Sequence, residues 1–235
     1  MDSATRLTAM RLPLWTLLIC AGAALVFVLP ALGTLLIYDR SAIAHGELWR
    51  LVTGNLVHLS PAHLCFDLTA FFIAGAINEV RGYRRFPVLC LTSAAFIGIV
   101  LYWAEPAMYY YAGLSGVAMA AVTYLCLNGL TEKGAWHWLC AAVLAGVTAK
   151  LGLELAFGKS LLLEVGAQEF FPVPLSHLVG TITALLLFVV VRFSDLRRGA
   201  RQQNLVAMPT AMDHGHRGQR QRKRKGAGYS CASDS

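Results

Sequence analysis

The sequence predicts an all-α membrane protein, a bundle of six transmembrane helices. Three observations carry this. Of the 235 residues, 57% are hydrophobic and only 14% are charged, whereas a soluble domain carries about a quarter charged residues. Six apolar runs reach the roughly 17–25 residues that a bilayer crossing takes. The basic residues lie mostly between these runs or after the last of them. Ten of the twenty Lys and Arg fall from Arg192 to Lys225, so the net charge of +7 does not describe a nucleic-acid-binding face. The expected surroundings are the lipid bilayer, with no nucleic acid partner.

The elements follow in order. Residues 1–13 form a short N-terminal segment with Arg6 and Arg11. The first run, 14–37, holds no charge until its end and precedes five more, so it reads as a retained helix rather than a cleaved leader. The stretch 38–60 mixes polar residues with Leu48, Trp49, Leu51, Leu56 and Val57. It is expected to be a structured loop in the interface, with Trp49 and Arg50 at headgroup level. Further helices are expected at 61–78, 86–103, 107–130, 135–157 and 174–191, which closes a membrane domain at 14–192. Residues 193–235 are polar and basic and are expected to be disordered. Of the six cysteines, all but Cys231 fall in apolar segments and read as small apolar fillers rather than a disulfide framework.

Positive charge orients the bundle. Arg6, Arg11, Arg81, Arg84, Arg85 and Lys133 fall on one side, and Arg40, Arg50 and Lys159 on the other. Both termini are therefore expected in the cytoplasm, in a bacterial cytoplasmic membrane. The helices expected at 61–78, 107–130 and 174–191 then run in the same direction. At about 1.5 Å per residue, His63, Asp67, Ser115 and His177 all come within roughly 5–15 Å of the outer ends of their helices.

Two of these residues point to acyl-transfer chemistry. Gly113-Leu114-Ser115-Gly116 places a hydroxyl among small residues in an uncharged run. Taken alone, such a stretch more often serves close helix packing. His177 changes the balance, because a histidine within a membrane segment is a functional candidate. Gly180 lets that helix approach the one bearing Ser115. A serine oxygen about 2.6–3.2 Å from an imidazole nitrogen can lose its proton on attack, and the imidazole can return it to the leaving amine. No acidic third member is evident near His177, the nearest being Glu169 in a loop, so a Ser115–His177 dyad is expected. His58, His63 and Asp67 could hold a metal, but their spacing matches no zinc motif. His63, Asp67 and Gly113 are taken as the oxyanion and substrate side of the site, with Asp67 either a neutral donor, the favoured form inside a membrane helix, or an ionised group that turns from the oxyanion and orients His63. Lys150 and Glu154 are one turn apart and read as an internal ion pair.

Together these residues resemble the rhomboid family of intramembrane serine proteases, over residues 47–184. Glu47-Leu48-Trp49-Arg50 is similar to the family's Trp-Arg motif. His58, His63 and Asp67 have the spacing of its second-helix motif, which usually ends in Asn. Gly113-Leu114-Ser115-Gly116 matches its nucleophile motif, and His177 and Gly180 match its sixth-helix motif, with Ala184 at a usual glycine. The resemblance implies a protease that cleaves transmembrane or membrane-anchored proteins near the outer face, without ATP, metal or other cofactor. It implies Ser115 as nucleophile and His177 as base. The oxyanion hole would hold His63, the Asp67 position and the Ser115 amide. Met119 stands where many relatives carry a tyrosine stacked on the histidine. Lys150-Leu151-Gly152-Leu153-Glu154 looks most like the rhombosortase branch, which is associated with substrates bearing a C-terminal Gly-Gly, a helix and a basic tail. An inactive rhomboid-like binder of membrane helices is the competing reading. A transporter is disfavoured, since neither an inverted repeat nor broken midplane helices are visible.

Overall fold

The computed structural model describes residues 12–157 and 174–207, with side chains described as far as residue 200. Helix α1 (Leu14–Val28) is apolar throughout and makes one polar commitment. The fully buried Thr16 donates both its amide, at 2.7 Å, and its hydroxyl, at 2.6 Å, to Glu79 Oε1. The run expected as one helix over 14–37 is broken at Pro30. Proline removes an amide donor and clashes with the preceding turn, and α2 (Pro30–Leu36) leaves α1 at 111°.

After α2, strand β1 (Tyr38–Asp39) pairs antiparallel with β2 (Tyr110–Tyr111), Tyr38 opposite Tyr111. The Asp39 carboxylate caps α3 (Arg40–Ala44) by accepting from the Ser41 and Ala42 amides. Then come α4 (Arg50–Thr53) and a single 3₁₀ turn (Gly54–Leu56). Arg50 does not reach for headgroups as expected. It is buried, pairs with Glu47 at 2.7 Å, and donates to the Thr34 and Ile37 carbonyls at 2.9 and 2.8 Å. These carbonyls lie at the end of α2, where a helix leaves its last acceptors unpaired. Arg50 therefore clamps the loop onto α2.

Helix α5 (Pro61–Val80) starts on an N-cap, Ser60, whose hydroxyl accepts from the His63 amide at 3.2 Å. Its buried stripe of His63, Asp67, Phe71, Ala74, Gly75 and Asn78 has helical spacing. Helix α6 (Phe86–Ala104) buries Leu89, Ser93, Ile97 and Leu101 in the same manner. Helix α7 (Ser115–Gly129) is buried on nearly every side and packs against α5, α6 and α8 (Ala135–Phe157). A helix apolar all round belongs in the centre of a bundle.

The helix expected over 107–130 begins only at Ser115. Residues 107–114 are drawn instead into β2 and a turn, because pairing with β1 claims their backbone. At 15 residues α7 is shorter than α5, α6, α8 and α9. Among the described residues, four helices have the length and composition to cross a membrane, or five if the bent α1–α2 pair counts as one. The count of six is not reached on that criterion. Helix α9 (Pro174–Ala207) runs past the expected end at 191 and through residues expected to be disordered. Internal contacts divide the chain after Val191, and the unit from Arg192 onward is described only as this helical continuation to Ala207. Residues 1–11, 158–173 and 208–235 lie outside the described residues, as do Glu169 and most of the basic tail.

Candidate active site

Ser115 is the first residue of α7, and the turn before it sets its position. Gly113 has φ +133°, which a side chain rarely adopts. A Cβ there would stand 2.8 Å from His63 Nε2 and 3.4 Å from Asp67 Oδ2. Backbone freedom and lack of bulk are thus both required at Gly113. Its amide donates to the Gly54 carbonyl at 3.4 Å, and its carbonyl accepts from the Tyr111 hydroxyl at 3.1 Å. Burial raises the Tyr111 phenol pKa well above its ordinary value, so it stays a donor to that carbonyl. Ser115 itself is partly exposed, and its amide, in the first turn of a helix, has no carbonyl to bond within that helix.

His177 lies near the start of α9 and is buried. A Cβ on Gly180 would come 2.1 Å from the Gly116 carbonyl oxygen, and one on Gly116 would come 2.9 Å from the Ser176 carbonyl oxygen. The backbones of α7 and α9 therefore touch at the residues beside Ser115 and His177, as the two glycines predict. Among the described residues, no hydrogen bond joins Ser115 Oγ to His177. Such contacts are often long before substrate arrives.

The other ring nitrogen of His177 is engaged. Nδ1 lies 2.8 Å from Oε2 of Glu154 on α8, and the Glu154 side chain is fully buried. Lys150 donates to Oε1 of the same carboxylate. The expected Lys150–Glu154 pair is present, but the expectation that no acid stands behind His177 is corrected. The signal was a carboxylate in a membrane helix, itself a functional pointer. Its 23-residue separation from His177 hid the contact.

His58, His63 and Asp67 converge as expected. Asp67 Oδ2 lies 3.2 Å from Nε2 of each histidine and accepts from the Leu114 amide at 2.8 Å. An amide can only donate, so this oxygen is an acceptor. The expected role of Asp67 as a neutral donor to an oxyanion is not the one that Oδ2 fills. The ligand atoms of the three side chains lie within 4.8 Å of one another, and this is the set in the site that could hold a metal. Its distances are equally those of hydrogen bonds, and His58 Nε2 also faces the Leu114 amide, at 3.4 Å. Together the site offers an alcohol, an imidazole with one nitrogen tied to a carboxylate, a helix-terminal amide and a second imidazole.

A rhomboid domain model matches residues 45–194. The chain is similar to the rhomboid protease GlpG of Haemophilus influenzae, 33% identical over 121 residues, or 48% of this chain and 62% of the relative. It is similar to the putative rhomboid protease YdcA of Bacillus subtilis, 35% identical over 98 residues, 39% of this chain and 49% of the relative. It is also similar to GlpG of an Enterobacter species, 30% identical over 160 residues, 61% of this chain and 57% of the relative. The chain thus spans from about half to three fifths of the length of these relatives. The domain match takes in every site residue described above and more than half of the chain, and the protein belongs to the rhomboid family.

Proposed function

We propose that this protein is an intramembrane serine endopeptidase with Ser115 as nucleophile and His177 as general base. The observation that supports this most directly is the backbone contact of α7 and α9 at Gly116 and Gly180, beside the two residues. With Nδ1 of His177 held at Glu154, Nε2 is the nitrogen left for the serine proton, since the bond made by one ring nitrogen decides the role of the other. Ser115 Oγ attacks the scissile carbonyl as Nε2 takes its proton. The imidazolium then gives that proton to the leaving amine. Water, deprotonated by the same nitrogen, hydrolyses the acyl-enzyme. The Ser115 amide and His63 stabilise the oxyanion by donated hydrogen bonds. Asp67 holds His63 and the Leu114 amide in place.

The substrates are transmembrane or membrane-anchored proteins cut near the outer face of a bacterial cytoplasmic membrane, with both termini of the enzyme inside. Proteins ending in Gly-Gly, a helix and a basic tail are the first candidates, from the resemblance of 150–154 to the rhombosortase branch. The test is co-expression with a tagged reporter ending in such a signal, comparing wild type, Ser115→Ala, His177→Ala and the double variant. Each single change should abolish the product, and the double should be no worse, because members of a catalytic unit are not additive. A His177→Ala protein with near-normal turnover ends the reading. A reporter bound equally by wild type and Ser115→Ala but cut by neither makes the protein a binder.

A further inference from the structure

We infer that Glu154 is a positioning residue for His177, held in turn by Lys150, so that this chain works with a triad of Ser115, His177 and Glu154. The inference rests on the protease reading above and deepens it.

Its ground is the geometry of one carboxylate. Glu154 is fully buried and its two oxygens face two different helices. Oε1 takes the Lys150 ammonium from one turn earlier on α8, and Oε2 takes His177 Nδ1 from α9 at 2.8 Å. A pair serving only to bring a lysine into a membrane would be complete with Oε1 alone. Here the lysine is the more exposed partner, at 22%, and the carboxylate is turned inward to the imidazole. A buried carboxylate is unfavourable unless its lone pairs are met by donors, and Lys150 and His177 supply both sets. The bond fixes the neutral imidazole with its proton on Nδ1 and its lone pair on Nε2, the arrangement that a base for Ser115 needs. It also sets a negative charge beside the imidazolium formed on attack.

The experiment uses the full chain in detergent micelles or liposomes with a biotinylated fluorophosphonate. Reaction forms a bond from Ser115 Oγ to phosphorus, expels fluoride, and sends the serine proton to His177, so it needs the base but no natural substrate. For Glu154→Gln the maximal rate should fall by about 10⁴-fold, the scale set by the corresponding carboxylate-to-amide change behind the histidine of soluble serine proteases. The half-saturating concentration should stay within about twofold. The double Glu154→Gln/His177→Ala should be no slower than His177→Ala alone. Lys150→Met should slow the reaction less than Glu154→Gln. On Ser115→Ala protein, ¹⁵N spectra of His177 should show Nδ1 protonated, and Glu154→Gln added to that background should remove the preference. This readout does not depend on turnover and a purely structural pair would not move it. A Glu154→Gln protein at wild-type rate, or slowed only in proportion to its unfolded fraction with the tautomer unchanged, overturns the inference while leaving the dyad standing. Equal labelling of wild type and Ser115→Ala overturns the protease reading, and this inference with it.

Discussion

Gly180→Ala tests how closely α9 must approach α7. The added Cβ would stand 2.1 Å from the Gly116 carbonyl oxygen, 3.0 Å from its carbon and 3.5 Å from the Ala120 amide nitrogen. A carbon and a carbonyl oxygen meet at roughly 3.3 Å, so the two helices must part by about 1 Å. No rotamer change relieves the clash, because the atoms met belong to helix backbone. His177 lies three residues before Gly180, and Ser115 directly precedes Gly116, so the parting is delivered to the pair proposed to react. A displacement near 1 Å costs about 10²-fold in rate, while overpacking costs about 1–3 kcal/mol of stability. We expect fluorophosphonate labelling and reporter cleavage both to fall by about 10²-fold, with a lowered melting temperature in the same detergent. Gly22→Ala is the matched control, since no atom lies within 4 Å of its Cβ. That change should keep the wild-type rate and can stabilise α1 by up to about 1 kcal/mol. Gly180→Ala reacting within threefold of wild type at an unchanged melting temperature would show that the backbone contact does not set the pair.

Two further predictions bear on the rest of the site. Asp67→Asn keeps an acceptor at the Leu114 amide but removes the charge facing His58 and His63. Since charge-assisted hydrogen bonds are roughly twice as strong as neutral ones, cleavage should fall by about tenfold. Asp67→Leu, which orphans the amide, should fall at least tenfold further, and an active Asp67→Leu would show that the position has no part in the reaction. For topology, a C-terminal reporter that works only in the cytoplasm should be active, and one that works only outside should be silent. The reverse result would put the Ser115 end of α7 on the wrong face.

Much of the bundle was legible because the signals were local. The helices α5, α6 and α8 are apolar runs bounded by proline, glycine or basic turns, and their ends fall within a few residues of expectation. Ser115 and His177 were legible because a hydroxyl and an imidazole stand out in otherwise apolar runs, with glycines beside them. What failed depended on partners distant in sequence. Residues 107–114 are uncharged and read as helix, yet Tyr111 pairs with Tyr38, a contact that no local pattern announces. Arg50 looked like an interfacial anchor until its partners proved to be the Thr34 and Ile37 carbonyls. The break at Pro30 is different. The proline was in plain view, but an uncharged run of bilayer length outweighed it. Lys150, one turn away, accounts for one oxygen of Glu154, while the partner of the second, His177, lies 23 residues off and leaves no local mark in the sequence.

The two buried carboxylates divide the work of holding the site. Asp67 ties together His58 from the loop before α5, His63 from α5 and the amide that leads into α7. Glu154 ties α8 to α9 through Lys150 and His177. Ser115 is placed by main chain instead, through the turn at Gly113 and the start of α7. In the mechanism proposed above, base and oxyanion donor are therefore held by charge, and the nucleophile by backbone. Removing the donor side of either cluster leaves a buried charge uncompensated, which costs about 3–5 kcal/mol and confuses lost chemistry with lost folding. Replacing the carboxylate by its amide keeps shape and one acceptor while removing the charge. If charge holds the imidazoles, Asp67→Asn and Glu154→Gln must both slow the reaction of the folded protein, and Glu154→Gln must also lower stability, because it takes the anion from the Lys150 ammonium. The effect at Glu154 must be much the larger, because of the two carboxylates it is the one that meets His177, the proposed base.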